Sequence, residues 1–197
     1  MFKLNKKEAE DYLIKIFDFI ENGDSKFKGH PGLYFFHTKT ELKEKINELL
    51  SENEYYEFDL YYITSLLIKF MLGRYDSHTK VSFKDNVYIP IDFTVEENSL
   101  YVTNISPIYK KLIGGKLLKI NNIDIQRILC ELEEIICYST KEHLLVMIQS
   151  FLSDVNVLKS LPSIENNTEE FIYTILNDNN EKEDITFNIN NLPEFYS

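Results

Sequence analysis

A hydroxyl and an imidazole stand side by side at Ser77 and His78, within the polar run Asp76-Ser77-His78-Thr79. Imidazole is well suited to accept a proton near neutral pH, because its ordinary pKa is about 6.5. The run also follows a predicted helix end, where short polar side chains commonly satisfy free backbone groups in a turn. From the residues alone, His78 is either a general base or an exposed turn residue.

The remaining histidines and the cysteines do not form a recognisable metal site. His30 and His37 flank a Pro-Gly turn with no acidic or cysteine ligand pattern around them, and His143 is expected to be a solvated surface residue. Cys130 and Cys137 lie seven residues apart in one predicted helix, about 10 Å along its axis, which is too far for a disulfide. We predict no metal, no cofactor and two reduced, partly buried thiols.

Lysines cluster at one place in a chain that is otherwise acidic. The cluster consists of Lys110, Lys111, Lys116 and Lys119. Such a cluster could attract the carboxylate of a peptide, or it could simply provide solubilising charge, and both interpretations stay open. The acidic runs at 52–57 and 131–134 are expected to be the solvated faces of helices opposite apolar stripes.

Composition limits the classes of function. The chain has 197 residues, 44% of them hydrophobic and 27% charged, which is typical of a globular protein with a core. A formal net charge of -11 argues against nucleic acid as a partner. No signal-peptide pattern is visible at the start, and the most apolar stretch, 63–72, is shorter than the roughly 20 residues that cross a bilayer. We therefore expect a cytoplasmic protein without a membrane span.

The first third of the chain has helical periodicity. Helices are predicted over 6–21, from Thr40 to Leu50 and over 60–71, with Lys43 and Glu44 in the opening turn of the second helix and Gly73 closing the third. A loop with a small strand at 33–36 separates the first two helices.

After Gly73 the apolar residues alternate. A strand at 87–95, with Pro90 at a strand start or sheet edge, returns through a turn at 96–99 to a second strand at 100–105. A further strand is predicted at 116–120 and helices at 125–136 and 144–152, the latter with Ser139 and Glu142 as a capping-box pair. A final hairpin pairs 171–175 with 185–189 across a turn at 177–180.

Three segments resemble the serine peptidases of the tail-specific and tricorn-core family. Residues 72–79 look like that family's helix-to-strand turn ending in Ser-His-Thr. Residues 88–93 with 100–103 are similar to its opening strands. Residues 112–125 resemble its PDZ-like core, usually Gly-x-x-Leu/Ile-x-x-Ile-Asn-Gly, with Asn122 in place of the last glycine, which is acceptable because asparagine tolerates a left-handed conformation.

The resemblance implies an α+β protein. It implies an N-terminal helical cap over 1–84, followed over 85–197 by a PDZ-like partly open β-barrel or sandwich with two helices. It also implies catalytic roles for Ser77 and His78, with His78 as the base in the tricorn branch. Peptides or the C-termini of unfolded proteins are the implied partners, and the implied peptide-binding residues are Lys110, Lys111, Gly114, Gly115 and Lys116.

No nucleophile can be assigned in this chain. Nucleophilic serines of such enzymes sit on tight turns that commonly need glycine for close backbone approach, and Gly115 is the last glycine of the sequence. We expect the substrate-recognition and regulatory portion of a serine peptidase, inactive alone and served by a downstream catalytic domain if the chain is a fragment. The alternative is a stand-alone PDZ-like peptide-binding adaptor.

Overall fold

The computed structural model describes residues 3–22, 37–72, 81–97 and 99–194. The chain folds as two compact units. The first comprises Met1–Ser82 and Ile135–Ser139, and the second comprises Phe83–Glu134 and Thr140–Ser197. The sequence-based division between residues 84 and 85 stays a prediction as a domain boundary.

The described part of the first unit is mainly helical. Its elements are β1 (Lys3–Asn5), α1 (Lys6–Asn22), α2 (Lys39–Leu49), β2 (Glu54–Tyr56) and α3 (Glu57–Leu72). β1 and β2, which the periodicity did not predict, form a small antiparallel pair. An ion pair of 2.6 Å between Lys3 Nζ and Glu54 Oε2 joins the two strands.

Apolar residues four positions apart form much of the core of this unit. Ala9, Leu13 and Phe17 fall on one face of α1 and are fully buried. Leu42 and Ile46 do the same on α2. The apolar helix α3 contributes residues on more than one face, which is typical of a helix enclosed by its neighbours.

The second unit combines a sheet with helices. Its elements are β3 (Ile91–Glu96), β4 (Ser99–Ile105), a 3-10 helix (Pro107–Leu112), β5 (Lys116–Ile120), β6 (Ile123–Asp124), α4 (Ile125–Ile135), α5 (Lys141–Phe151), α6 (Val155–Ser160), β7 (Glu170–Leu176) and β8 (Lys182–Asn188).

The sheet is antiparallel and open. Its strand order is β3-β4-β5-β7-β8, with the short β6 paired to β5. It has six strands and is not closed into a barrel, so β3 and β8 are its two edges in the described part of the chain. The predicted α+β fold class is confirmed.

The apolar alternation along β7 places the core on one face of the sheet. Phe171, Tyr173 and Ile175 are all fully buried, as is Phe187 on β8. The Tyr173 ring lies 6.1 Å from the Phe93 ring, in a stacked arrangement, and 5.8 Å from the Phe187 ring, edge to face. Aromatic contacts therefore join both edge strands to β7.

Two predicted helix starts were placed at the wrong residue. α2 is capped by Thr38, not Thr40, and Thr38 forms a reciprocal capping box with Glu41. α5 is capped by Thr140, not Ser139, because Thr140 has the extended backbone of an N-cap and its Oγ1 accepts from the His143 N–H. The positions predicted for the Gly73 cap and the small strand at 33–36 lie outside the described residues.

Other boundaries also shift. β3 begins at Ile91, directly after Pro90, because proline has no N–H for a ladder. α4 ends at Ile135, so Cys137 lies beyond the helix. Cys130 is exposed, not partly buried as predicted, whereas Cys137 is partly buried. The short helix α6 was not predicted. Asn122 adopts the expected left-handed conformation, with a φ of 64°.

The two adjacent glycines before β5 give a stability test. A Cβ on Gly115 would lie 2.6 Å from Ile175 Cγ2 and 3.0 Å from the Leu112 carbonyl oxygen, whereas a Cβ on Gly114 meets nothing closer than 3.9 Å and is disfavoured only by a φ of +87°. We expect Gly115→Ala to lower the free energy of unfolding by about 2–4 kcal/mol and Gly114→Ala by about 1–2 kcal/mol. Urea denaturation measures both, and equal losses would contradict the crowding at Gly115.

Candidate functional site

The predicted catalytic pair, Ser77 and His78, lies outside the described residues, so the roles of orienting hydroxyl and general base stay predictions. His30 also lies outside them. The site described below is therefore built from the second unit, where the predicted peptide-binding residues are found.

An edge strand and a helix flank one another in this unit. β3 pairs with β4 on one side, and no other strand of the described chain pairs with it. α5 packs against β3. Val146 on α5 is 60% exposed, so this helix keeps an apolar residue on its open side. We call the free side of β3, with α5 beside it, the β3–α5 edge.

A buried tyrosine fixes the end of α5. Leu152 caps the C-terminus of α5, and its carbonyl oxygen accepts a 2.8 Å hydrogen bond from the Tyr173 hydroxyl. Because Tyr173 is fully buried, its pKa is raised above the usual range and the hydroxyl stays a donor. The helix therefore ends at a point set by the middle of the sheet.

The chain's own backbone closes one end of the β3–α5 edge. The Ile89 N–H donates to the Ser153 carbonyl oxygen at 2.8 Å, and the Val155 N–H donates to the Val87 carbonyl oxygen at 2.9 Å, around a bridge between Tyr88 and Asp154. We call this contact between 87–89 and 153–155 the closing bridge. It uses the backbone groups directly before β3 that an added strand would otherwise bond.

Asp154 ties the closing bridge to α6. Its Oδ1 accepts from the N–H groups of Asn156 at 2.9 Å and Val157 at 3.2 Å, which makes it the N-cap of α6. The side chain is 3% exposed, and this burial raises the pKa of the carboxyl. The Asp-Val-Asn-Val sequence was the available signal for this cap, whereas no local pattern predicts the bridge.

The two predicted glycines use their own amides internally. The Gly114 N–H donates to the Val102 carbonyl oxygen at 2.8 Å, and the Gly115 N–H donates to the Leu112 carbonyl oxygen at 3.0 Å. Gly115 is also buried under Ile175. The geometry thus gives both glycines a structural role in the turn that enters β5, and their part in peptide binding stays a prediction.

The three predicted lysines have different surroundings. Lys111 Nζ forms an ion pair of 2.5 Å with Glu183 Oε2 at the start of β8, and this hydrogen bond holds the pKa of the Glu183 carboxyl below its usual range. Lys116 opens the central strand β5, where it is paired with Tyr101 on one side and Leu176 on the other. Lys110 is exposed on the 3-10 helix.

The two histidines among the described residues are His37 and His143. His37 stacks on Phe70, with ring centroids 3.8 Å apart. His143 is half-buried, not fully solvated as predicted, and its Nδ1 is buried without a hydrogen-bond partner in the described chain. Over 3–22, 37–72, 81–97 and 99–194, no three His, Cys, Asp or Glu side chains are grouped to hold a metal ion. In the same ranges no helix has both the length and the hydropathy to cross a bilayer.

Comparison with solved structures supplies the fold relationship. A serine-to-alanine mutant of CPAF matches with a TM-score of 0.61 at 13% sequence identity. Mature CPAF matches at 0.60 and 14%, and mature CPAF complexed with lactacystin at 0.58 and 14%. Each comparison covers 93% of this chain and 34% of the other. No protein-family model and no curated protein matches the sequence.

The chain therefore shares the fold of about one third of CPAF, a serine protease. The likeness is one of fold, because the sequence identity is low.

The buried cap offers a test with a matched pair of variants. Asp154→Ala removes the acceptor for two helix N–H groups, and we expect a loss of about 1–2 kcal/mol in the free energy of unfolding. Asp154→Asn keeps an acceptor oxygen without the buried charge, so at pH 7 it should be at least as stable as the parent. Thermal and urea unfolding measure both variants.

The pH dependence of the same pair follows from the raised pKa. Because the folded state favours the protonated carboxyl, the destabilisation due to the buried charge is present at neutral pH. It disappears as the pH falls below the ordinary value of 3.8. The stability difference between Asp154→Asn and the parent should therefore shrink on acidification, and a difference that grows instead would contradict the burial argument.

Proposed function

We propose that this chain is the substrate-recognition and regulatory portion of a serine peptidase of the tail-specific and tricorn-core type. Its second unit would act as a PDZ-like module that binds extended peptides. The observation that carries the proposal is the edge strand β3 beside α5, in a fold shared with part of CPAF. PDZ modules bind peptides by adding them as a strand to such an edge.

Backbone hydrogen bonding is the chemistry of this recognition. An added strand would pair with the free side of β3, so affinity would come from main-chain N–H and carbonyl groups and would depend little on sequence. The residues of β3 include Ile91, Phe93 and Val95, which favour extended structure. A peptidase that acts on unfolded chains needs this kind of broad recognition.

The other sheet edge is less suited to a peptide. β8 begins with three successive charged residues, Lys182-Glu183-Asp184, and charged side chains are a common protection of edges against strand addition. Asp184 also accepts a 2.7 Å hydrogen bond from Thr174 Oγ1 on the neighbouring strand. We therefore assign the ligand to β3.

Catalysis is the part of the proposal that the second unit does not address. Ser77 and His78 are proposed as the orienting hydroxyl and the general base toward a nucleophile on another domain, as the family resemblance implies. A stand-alone adaptor would use the same β3 edge without any catalytic partner. The two alternatives differ in chemistry and agree on the binding site.

The β3 assignment is tested by mapping peptide contacts on the isotopically labelled chain. Unfolded casein peptides are titrated in while the amide resonances are followed by NMR. We expect the largest shifts and the largest gain of hydrogen-exchange protection over 91–96 and in α5, because an added strand bonds β3 amides directly. The amides of β8 serve as the internal control. Shifts centred on β8, or no binding at all, would reject the proposal.

A further inference from the structure

We infer that the ligand of this module is an internal extended segment, and that a free C-terminal carboxylate adds nothing to its recognition. This inference rests on the proposed function, since it concerns the same β3 edge. It departs from the partner predicted from the sequence, the C-terminus of an unfolded protein. Recognition of a carboxylate needs convergent N–H groups or an available cation.

The donors before β3 are already engaged. The Ile89 N–H belongs to the closing bridge, and the Ile91 N–H donates to the Ile89 carbonyl oxygen at 2.8 Å. Pro90, between them, has no N–H. Within 89–91, where a strand added along β3 would end, no two successive amides are therefore left to form the concave anion site that captures a terminal carboxylate.

The opposite end of β3 is anionic. The strand ends at Glu96, and Glu97 follows it with a left-handed backbone. Both residues are exposed. A peptide carboxylate placed there would face two like charges in a chain whose formal net charge is already -11. Neither end of the edge strand therefore favours a free C-terminus.

The loop over 110–116, which we call the lysine loop, does not supply a carboxylate site either. The amides of Ile113, Gly114 and Gly115 all donate to carbonyl oxygens within the chain. Lys111 is committed to Glu183. Lys110 is an exposed cation, and an exposed ion pair typically contributes less than about 1 kcal/mol. The loop thus lacks the buried, converging donors that would distinguish a carboxylate from an amide.

The ligand's path follows from the same contacts. The closing bridge stops an added strand before Ile91, so pairing is confined to the six residues of β3. A longer chain must leave the β3–α5 edge at both ends without its terminus being held. An internal segment of an unfolded protein satisfies this geometry, because no terminal group takes part in the pairing.

The test uses the full 197-residue chain and peptides in two chemical forms. Overlapping twelve-residue peptides that span unfolded casein are each made with a free and with an amidated C-terminus, and binding is measured by fluorescence anisotropy. We expect Kd values of the two forms to agree within about threefold, since only exposed charges differ. The amide should bind slightly tighter at low salt, because the acidic chain repels the free acid.

Two other outcomes have separate meanings. If the free acids bind about tenfold tighter or more, the inference is wrong while peptide recognition stands. If no peptide binds in either form, the proposed function itself is wrong. Lys110→Ala should leave both Kd values unchanged, as should Lys7→Ala, an equal loss of charge in the first unit. An acid preference that disappears only in Lys110→Ala would assign carboxylate recognition to the lysine loop.

Discussion

The hydrogen bond from the Tyr173 hydroxyl to the Leu152 carbonyl oxygen is the contact on which the second unit's site depends. It joins the middle of the sheet to the last turn of α5, and the closing bridge begins at the next residue. A buried carbonyl without this donor would cost about 1–3 kcal/mol, so the arrangement is strongly specified. Aromatic contacts of the same ring with Phe93 and Phe187 link it to both edge strands. The position of α5 beside β3 is therefore a consequence of core packing.

The functional proposal follows from which backbone groups this packing leaves unused. The closing bridge engages the Ile89 amide directly before β3, and the turn before β5 engages those of Gly114 and Gly115. The free side of β3 remains. It offers backbone hydrogen-bonding groups to an added strand, but it offers no site for an anion. The proposed strand-binding module would recognise extended backbone of many sequences. Such breadth would suit the proposed selection of unfolded substrates by a peptidase and would differ from the recognition of one terminal motif.

The sequence predicted the repeating elements well and the connecting contacts poorly. The alternation over 171–175 and 185–189 was sufficient for the final hairpin, because local periodicity determines which face is buried. The capping residues were missed by one or two positions, since several threonines and serines precede each helix and only the backbone conformation selects among them. Tyr173 was visible as an apolar position on a strand. Its partner Leu152 and the closing bridge are contacts across the fold, which no sequence spacing reveals. The lysine cluster was visible from charge, and its part in peptide binding was implied by the family resemblance, whereas the ion pair of Lys111 with Glu183 depends on the fold.

The most direct measurement is hydrogen exchange in Tyr173→Phe, which removes one hydroxyl and keeps the ring. If the hydroxyl holds α5 and the closing bridge in place, the amides of Ile89 and Val155 should exchange faster by a larger factor than those of Phe171 and Phe187. Peptide binding at β3 should weaken at the same time. Equal acceleration at all four amides, with peptide affinity unchanged, would contradict the account. The β3–α5 edge would then be positioned by contacts other than this hydrogen bond.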